Sequence, residues 1–121
     1  MIGQGLRQLQ EVLNRRADAV QREFIAIGEK LQALNRKILE AHGDERTPLL
    51  AEQEALHTNQ AALAGEINVW RDRGRAVMHQ RSDAELRAVL AELVALHDEA
   101  IQPAVDHALF LLNASDEEEI Q

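Results

Sequence analysis

Apolar and small residues recur every three or four positions through the first forty residues of this chain. One row of the pattern comprises Ala17, Phe24, Leu31 and Ile38. The row beside it comprises Leu6, Leu13, Val20, Ile27, Leu34 and Ala41. Such 3-4 spacing concentrates apolar side chains on one narrow face of a helix, and that face needs a second helix to cover it. The pattern therefore predicts a long first helix, at about residues 5–42, in a coiled-coil-like arrangement.

Turn and capping residues predict where the first helix ends and the second begins. Gly43 follows the last apolar position of the first helix, and glycine readily takes the left-handed conformation that terminates helices. Thr47 and Pro48 are typical of an N-cap and of a first helical position, respectively. We therefore predict a second helix at about residues 48–79.

A capping box predicts the start of the third helix. Ser82 is followed three residues later by Glu85. The side chain of each can accept a hydrogen bond from the backbone N–H of the other. The apolar residues that follow predict one helix at about residues 83–113. Pro103 lies inside this helix, and because proline lacks an N–H group we expect a kink or a short break near it.

The apolar residues of the second helix match those of the first. They recur at seven-residue spacing, at Leu49, Leu56, Leu63, Trp70 and Val77. A short polar linker makes the two helices antiparallel neighbours. Folding the chain near residue 45 then brings Leu34 close to Leu56. The same fold brings Ile27 close to Leu63.

The apolar face of the third helix is wider than two neighbouring helices usually bury. We predict an all-α fold, an elongated antiparallel three-helix bundle, with residues 1–113 as a single domain and residues 114–121 as an acidic tail. The first turns of the first helix would project past the turn near residues 80–82. Both features leave apolar surface uncovered, which favours association with a second copy as a homodimer.

The composition narrows the possible chemistry. The chain has no cysteine, which excludes disulfides, thiolate metal sites and cysteine nucleophiles. The formal net charge is −8, and residues 82–121 carry ten acidic side chains against one basic one. Phosphate backbones repel such a chain, so we expect no nucleic-acid partner. No apolar run is long enough to span a membrane, and no signal-peptide h-region opens the chain. We expect a cytoplasmic protein with no membrane contact.

The five histidines raise the question of a metal site. Glu54 and His57 have the Glu-x-x-His spacing of di-metal helical bundles, but a second such motif is absent and Leu56 separates the two. We therefore expect no metal and no other cofactor. His97 and His107 have apolar neighbours at three and four positions, which indicates buried neutral rings. The open alternative is a pH-sensitive contact at a subunit interface.

Arg71 and Arg75 belong to the densest basic cluster of the chain. They lie four positions apart on one helix face and could hold an anion or an acidic partner segment. Pairing with acidic residues of the third helix is the alternative.

The sequence has no nucleophile elbow and no phosphate-binding glycine loop, so we do not expect an enzyme. We predict a non-catalytic interaction or assembly module, such as a scaffold, an adaptor or a small subunit. The open alternatives are a metal- or ligand-binding bundle that uses its histidines, and a secreted effector or chaperone. We expect interface contacts at Ile2, Leu6, Leu9, Trp70, Leu90, Leu93, His97, Ile101, His107 and Leu111.

Overall fold

A computed structural model of the chain describes residues 2–120, and the side chains of residues 2–114. Across these residues the structure contains four α-helices and no strand, which confirms the all-α class. The helices are α1 (Ile2–Glu40), α2 (Arg46–Met78), α3 (Asp83–Ala95) and α4 (Gln102–Ile120).

The connection between α1 and α2 is tighter than the sequence predicts. α1 ends at Glu40, and Gly43 has the left-handed conformation expected of it, with φ of +61°. A single 3-10 turn over Gly43–Glu45 then leads directly into α2. The prediction of Thr47 as the N-cap is wrong, because the 3-10 turn starts the helix early enough to place this residue inside it.

The predicted third helix consists of two helices. Residues 96–101 separate α3 from α4 and lie before Pro103, which is the second residue of α4. The N–H groups in the first turn of a helix have no carbonyl partner within that helix. Proline therefore loses no hydrogen bond at this position. α3 and α4 lie side by side, and the Arg87 guanidinium donates a 2.9 Å hydrogen bond to the Asn113 side chain. α4 continues to Ile120, past the predicted start of the acidic tail.

The predicted cap of α3 is confirmed. The Ser82 hydroxyl accepts a hydrogen bond from the Glu85 backbone N–H at 3.2 Å. The Glu85 carboxylate in turn accepts from the backbone N–H of Arg81 at 2.9 Å, one residue before the expected donor. Two side-chain-to-backbone hydrogen bonds therefore stabilise the turn between α2 and α3.

The chain divides into two compact units. One, here called the four-helix unit, contains residues 1–16 and 69–121, and therefore all of α3 and α4. Its core consists of aliphatic side chains that are almost fully buried, at Leu9, Leu13, Val77, Leu90, Leu93, Ile101 and Val105.

The other, here called the hairpin unit, contains residues 17–68 and consists of the rest of α1 and α2 with the turn that joins them. Along α1 the helix–helix contact is buried at Val20, Ile27, Leu31 and Leu34. Along α2 the corresponding side chains are only half-buried, at Leu49, Leu56, Leu63 and Ile67.

Candidate interaction surface

Polar side chains close one edge of the hairpin unit. The Gln53 side-chain amide donates to the Asn35 side-chain oxygen at 2.6 Å. Further along this edge the Gln60 amide lies over Gly28, where an added Cβ would be 3.3 Å from its nitrogen. These contacts set the antiparallel register of the hairpin, with Gln60 level with Gly28.

The other edge of the hairpin unit is open. Two recesses of about 290 Å³ each lie along it, and Lys30 lines both of them. The lining residues recur every three or four positions on each helix, so the two recesses belong to one groove, here called the hairpin groove. Its α1 lip consists of Glu23, Ala26, Lys30, Ala33 and Lys37. Its floor and α2 lip consist of Ile27, Leu34, Glu52, Leu56, Asn59 and Leu63.

The pairing predicted from the sequence agrees with this groove. Leu34 and Leu56 line the recess nearer the turn. Ile27 and Leu63 line the other. In each pair the α1 side chain is buried and the α2 side chain is half-buried, so the floor of the groove presents apolar surface on its α2 side.

Small side chains keep the α1 lip low. Ala26 and Ala33 are exposed and lie one heptad apart beside the apolar floor. A further helix can approach closely where neighbouring side chains are this short. A groove with an apolar floor and a low lip is suited to the apolar stripe of an amphipathic helix.

The interface residues predicted from the sequence lie in the four-helix unit. Half of them, Leu9, Trp70, Leu90, Leu93 and Ile101, are buried inside it. α3 and α4 lie side by side, and their apolar side chains contribute to this core. The wide apolar face that predicted self-association is therefore largely covered within the chain. Leu111 is half-buried in contact distance of Gly5, where an added Cβ would be 2.6 Å from its Cδ1 atom.

The expectation of buried rings at His97 and His107 is wrong. Both residues are exposed. His97 ends α3 in the left-handed region, with φ of +50°, and its N–H bonds to the Val94 carbonyl oxygen at 3.1 Å. This turn breaks the helical periodicity from which the burial of His97 was predicted. The neighbours of His107 all lie within α4, where Pro103 and Phe110 are themselves exposed, so that face of α4 is not covered.

The predicted arginine pair does not form an isolated basic site. Arg75 pairs with Asp72 on the same helix, and Arg71 is half-buried. The adjacent Arg73 guanidinium lies 4.7 Å from the centroid of the Trp70 ring. Arg16 lies 5.4 Å from that centroid, so the two cations and the buried ring are within cation–π distance.

Arg16 also holds the turn between α3 and α4. Its Nε donates to the Asp98 carboxylate at 3.2 Å, and the other oxygen of that carboxylate accepts from the Ala100 backbone N–H at 2.9 Å. The basic partner of Asp98 is therefore Arg16 of α1, outside the Arg71 and Arg75 cluster for which the sequence left such pairing open.

Ile2 and Leu6 line a recess in the four-helix unit. Its volume is about 380 Å³, and its apolar wall is completed by Val77, Met78, Leu86 and Leu112. Gln80, Arg81, Ser82 and Asp83 form a polar rim. The exposed first turns predicted from the sequence thus form a half-open cavity with the α2–α3 turn.

Sequence reasoning missed the hairpin groove. The 3-4 spacing predicts Ile27 and Leu34 as core residues, whereas the lip of the groove is the row beside them. The available signal was the spacing of the two alanines, Ala26 and Ala33, between charged residues. The spacing of these alanines does not indicate where the third helix packs. The exposure of the groove therefore cannot be predicted from the sequence.

Within the described part of the chain, no group of three His, Asp or Glu side chains is placed to hold a metal ion. None of the described helices combines the length and hydropathy that a membrane span requires. No family model, no curated protein and no solved structure matches this chain.

Proposed function

We propose that this chain is a non-catalytic protein–protein interaction module, and that the hairpin groove receives a helix of its partner. The observation that carries the proposal is the difference between the two edges of the hairpin unit. Glutamine side chains cover one edge, whereas the other leaves Leu56 and Leu63 half-buried beside two exposed alanines. A scaffold, an adaptor or a small subunit would each use such a surface, and the acidic, cysteine-free composition suits the cytoplasm.

The energy of this contact comes mainly from apolar burial. Each square ångström of apolar surface removed from water contributes about 25 cal/mol. A helix seated between the lips would cover Leu56 and Leu63 and bring its own apolar stripe against them. The charged residues of the lips then select among partners more than they add affinity.

A photo-crosslinking residue tests this proposal directly. We would place it at position 33, on the low lip of the groove, in the chain expressed in its native cells. The matched control is the same residue at position 61. Ala61 is also an exposed helical alanine, and at 3.6 residues per turn it faces about 200° away from Asn59 and Leu63.

We expect crosslinked protein adducts from position 33 that are weak or missing from position 61. An adduct with any protein, including a second copy of the chain, supports the groove as a binding surface. Equal labelling from the two positions would contradict the proposal.

A second candidate function is binding of a small apolar ligand. The recess lined by Ile2 and Leu6 has about the smallest volume at which ligand pockets occur, and it combines an apolar wall with a polar rim. Met78 is exposed at its edge, so Met78→Trp would fill the recess without removing a core side chain. Loss of binding of an apolar fluorescent probe in this variant would support the candidate, whereas unchanged binding would exclude it.

A further inference from the structure

We infer that the occupant of the hairpin groove is the same groove of a second copy, packed antiparallel about a two-fold axis at the level of Lys30. This inference rests on the proposed function and names its partner. The product would be a four-helix bundle made from two hairpin units.

The α1 lip complements itself when its direction is reversed. A two-fold axis pairs each residue with the residue that lies equally far along the row on the other side of the axis. The row must therefore be complementary to the same row read in reverse. About Lys30, Glu23 of one copy meets Lys37 of the other, twice over. Ala26 of one copy lies one residue, about 1.5 Å along the helix, from the level of Ala33 of the other, and two short side chains this close allow the helices to approach closely.

The α2 side of the groove is reversed by the same axis. Gln60 is level with Gly28 in the antiparallel hairpin, so the level of Lys30 falls close to Asn59. Reversal about Asn59 brings Leu56 of one copy level with Ala62 of the other, one residue from its Leu63. The two half-buried leucines therefore cover each other, which is what the exposed floor of the groove requires.

Lys30 itself lies at the axis, where the two copies bring like charges together. Its long side chain is exposed and can direct its ammonium group away from the axis while its methylene groups cover the floor. The opposite charges of Glu23 and Lys37, at the two ends of the lip, then determine the antiparallel orientation.

Charge reversal at the ends of the lip tests this arrangement. Glu23→Lys places Lys against Lys37 of the other copy, and Lys37→Glu places Glu against its Glu23. We expect each variant to weaken the dimer about tenfold in sedimentation velocity, because two exposed ion pairs become two like-charged pairs. An equimolar mixture of the two variants restores both pairs, so we expect it to dimerise like the original chain.

Only contacts between copies can produce that recovery. Positions 23 and 37 are roughly 21 Å apart along α1, beyond the screening length of about 8 Å at physiological salt, so they do not interact within one chain. The chain that carries both substitutions is expected to dimerise as well. A mixture that stays as weakly associated as its components would overturn the inference.

A steric test uses the low lip. Ala33→Arg is expected to shift the chain to monomer, whereas Ala61→Arg, an equally exposed position facing away from the groove, leaves the dimer intact. Circular dichroism of both variants checks that the helices are retained. A chain that is monomeric at all concentrations up to about 0.5 mM would overturn the second copy as occupant. Adducts with other proteins from position 33 would then still support the proposed function.

Discussion

Among the described residues, one non-glycine residue has a left-handed backbone conformation. His97 has φ of +50° where α3 ends, a region that costs an L-residue about 1 kcal/mol or more. Glycine is the usual residue at this position of a helix end. The turn between α3 and α4 therefore depends on tertiary contacts, such as the hydrogen bond from Arg16 to Asp98, more than on local preference.

We expect His97→Gly to raise the free energy of unfolding by about 0.5–1 kcal/mol, because glycine has no Cβ to strain in the left-handed region. Urea unfolding measures the change. The matched control is His107→Gly, at an exposed position inside α4, where glycine lowers helix propensity and we expect a loss of about 1 kcal/mol. Equal effects at the two positions would contradict the assigned role of His97.

At the scale of elements, the helices were predictable where their signals are local. The heptad rows of α1 and α2, the left-handed Gly43 and the Ser82 cap each depend on residues within one or two turns. The reversal at residues 96–101 has no such signal, because a histidine occupies its left-handed position and the nearest proline begins the next helix. The predicted interface depends on the same region: the apolar face of residues 83–113 is divided between α3 and α4, and much of it is buried within the chain.

Glycines in α2 and in the turn before it should respond oppositely to alanine. Gly65 lies inside α2, and an added Cβ there meets nothing within 4 Å. We expect Gly65→Ala to stabilise the protein by about 0.5–1 kcal/mol through helix propensity. Gly43→Ala also meets open space, but its φ of +61° strains alanine, so we expect a loss of about 1 kcal/mol. Thermal unfolding of both variants measures the difference, and stabilisation by Gly43→Ala would contradict the described turn.

At the scale of the whole molecule, the two units differ in how well they bury their side chains. Of the eight largest described side chains that are fully buried, seven belong to the four-helix unit and only Val20 to the hairpin unit. Local stability follows such burial. The hairpin unit is thus the part that gains most from a partner, since its floor includes the half-buried Leu56 and Leu63.

This difference should separate two unfolding signals. Trp70 is the only tryptophan and is buried in the four-helix unit, so its fluorescence reports that unit, whereas far-ultraviolet circular dichroism reports every helix. In Ala33→Arg, which we expect to be monomeric, ellipticity should fall at lower urea than the fluorescence changes. In the original chain, higher protein concentration should move the early loss of ellipticity to higher urea, because a dimer through the groove stabilises the hairpin by mass action. Coincident, concentration-independent curves in both proteins would mean that the hairpin unit needs no partner to be stable.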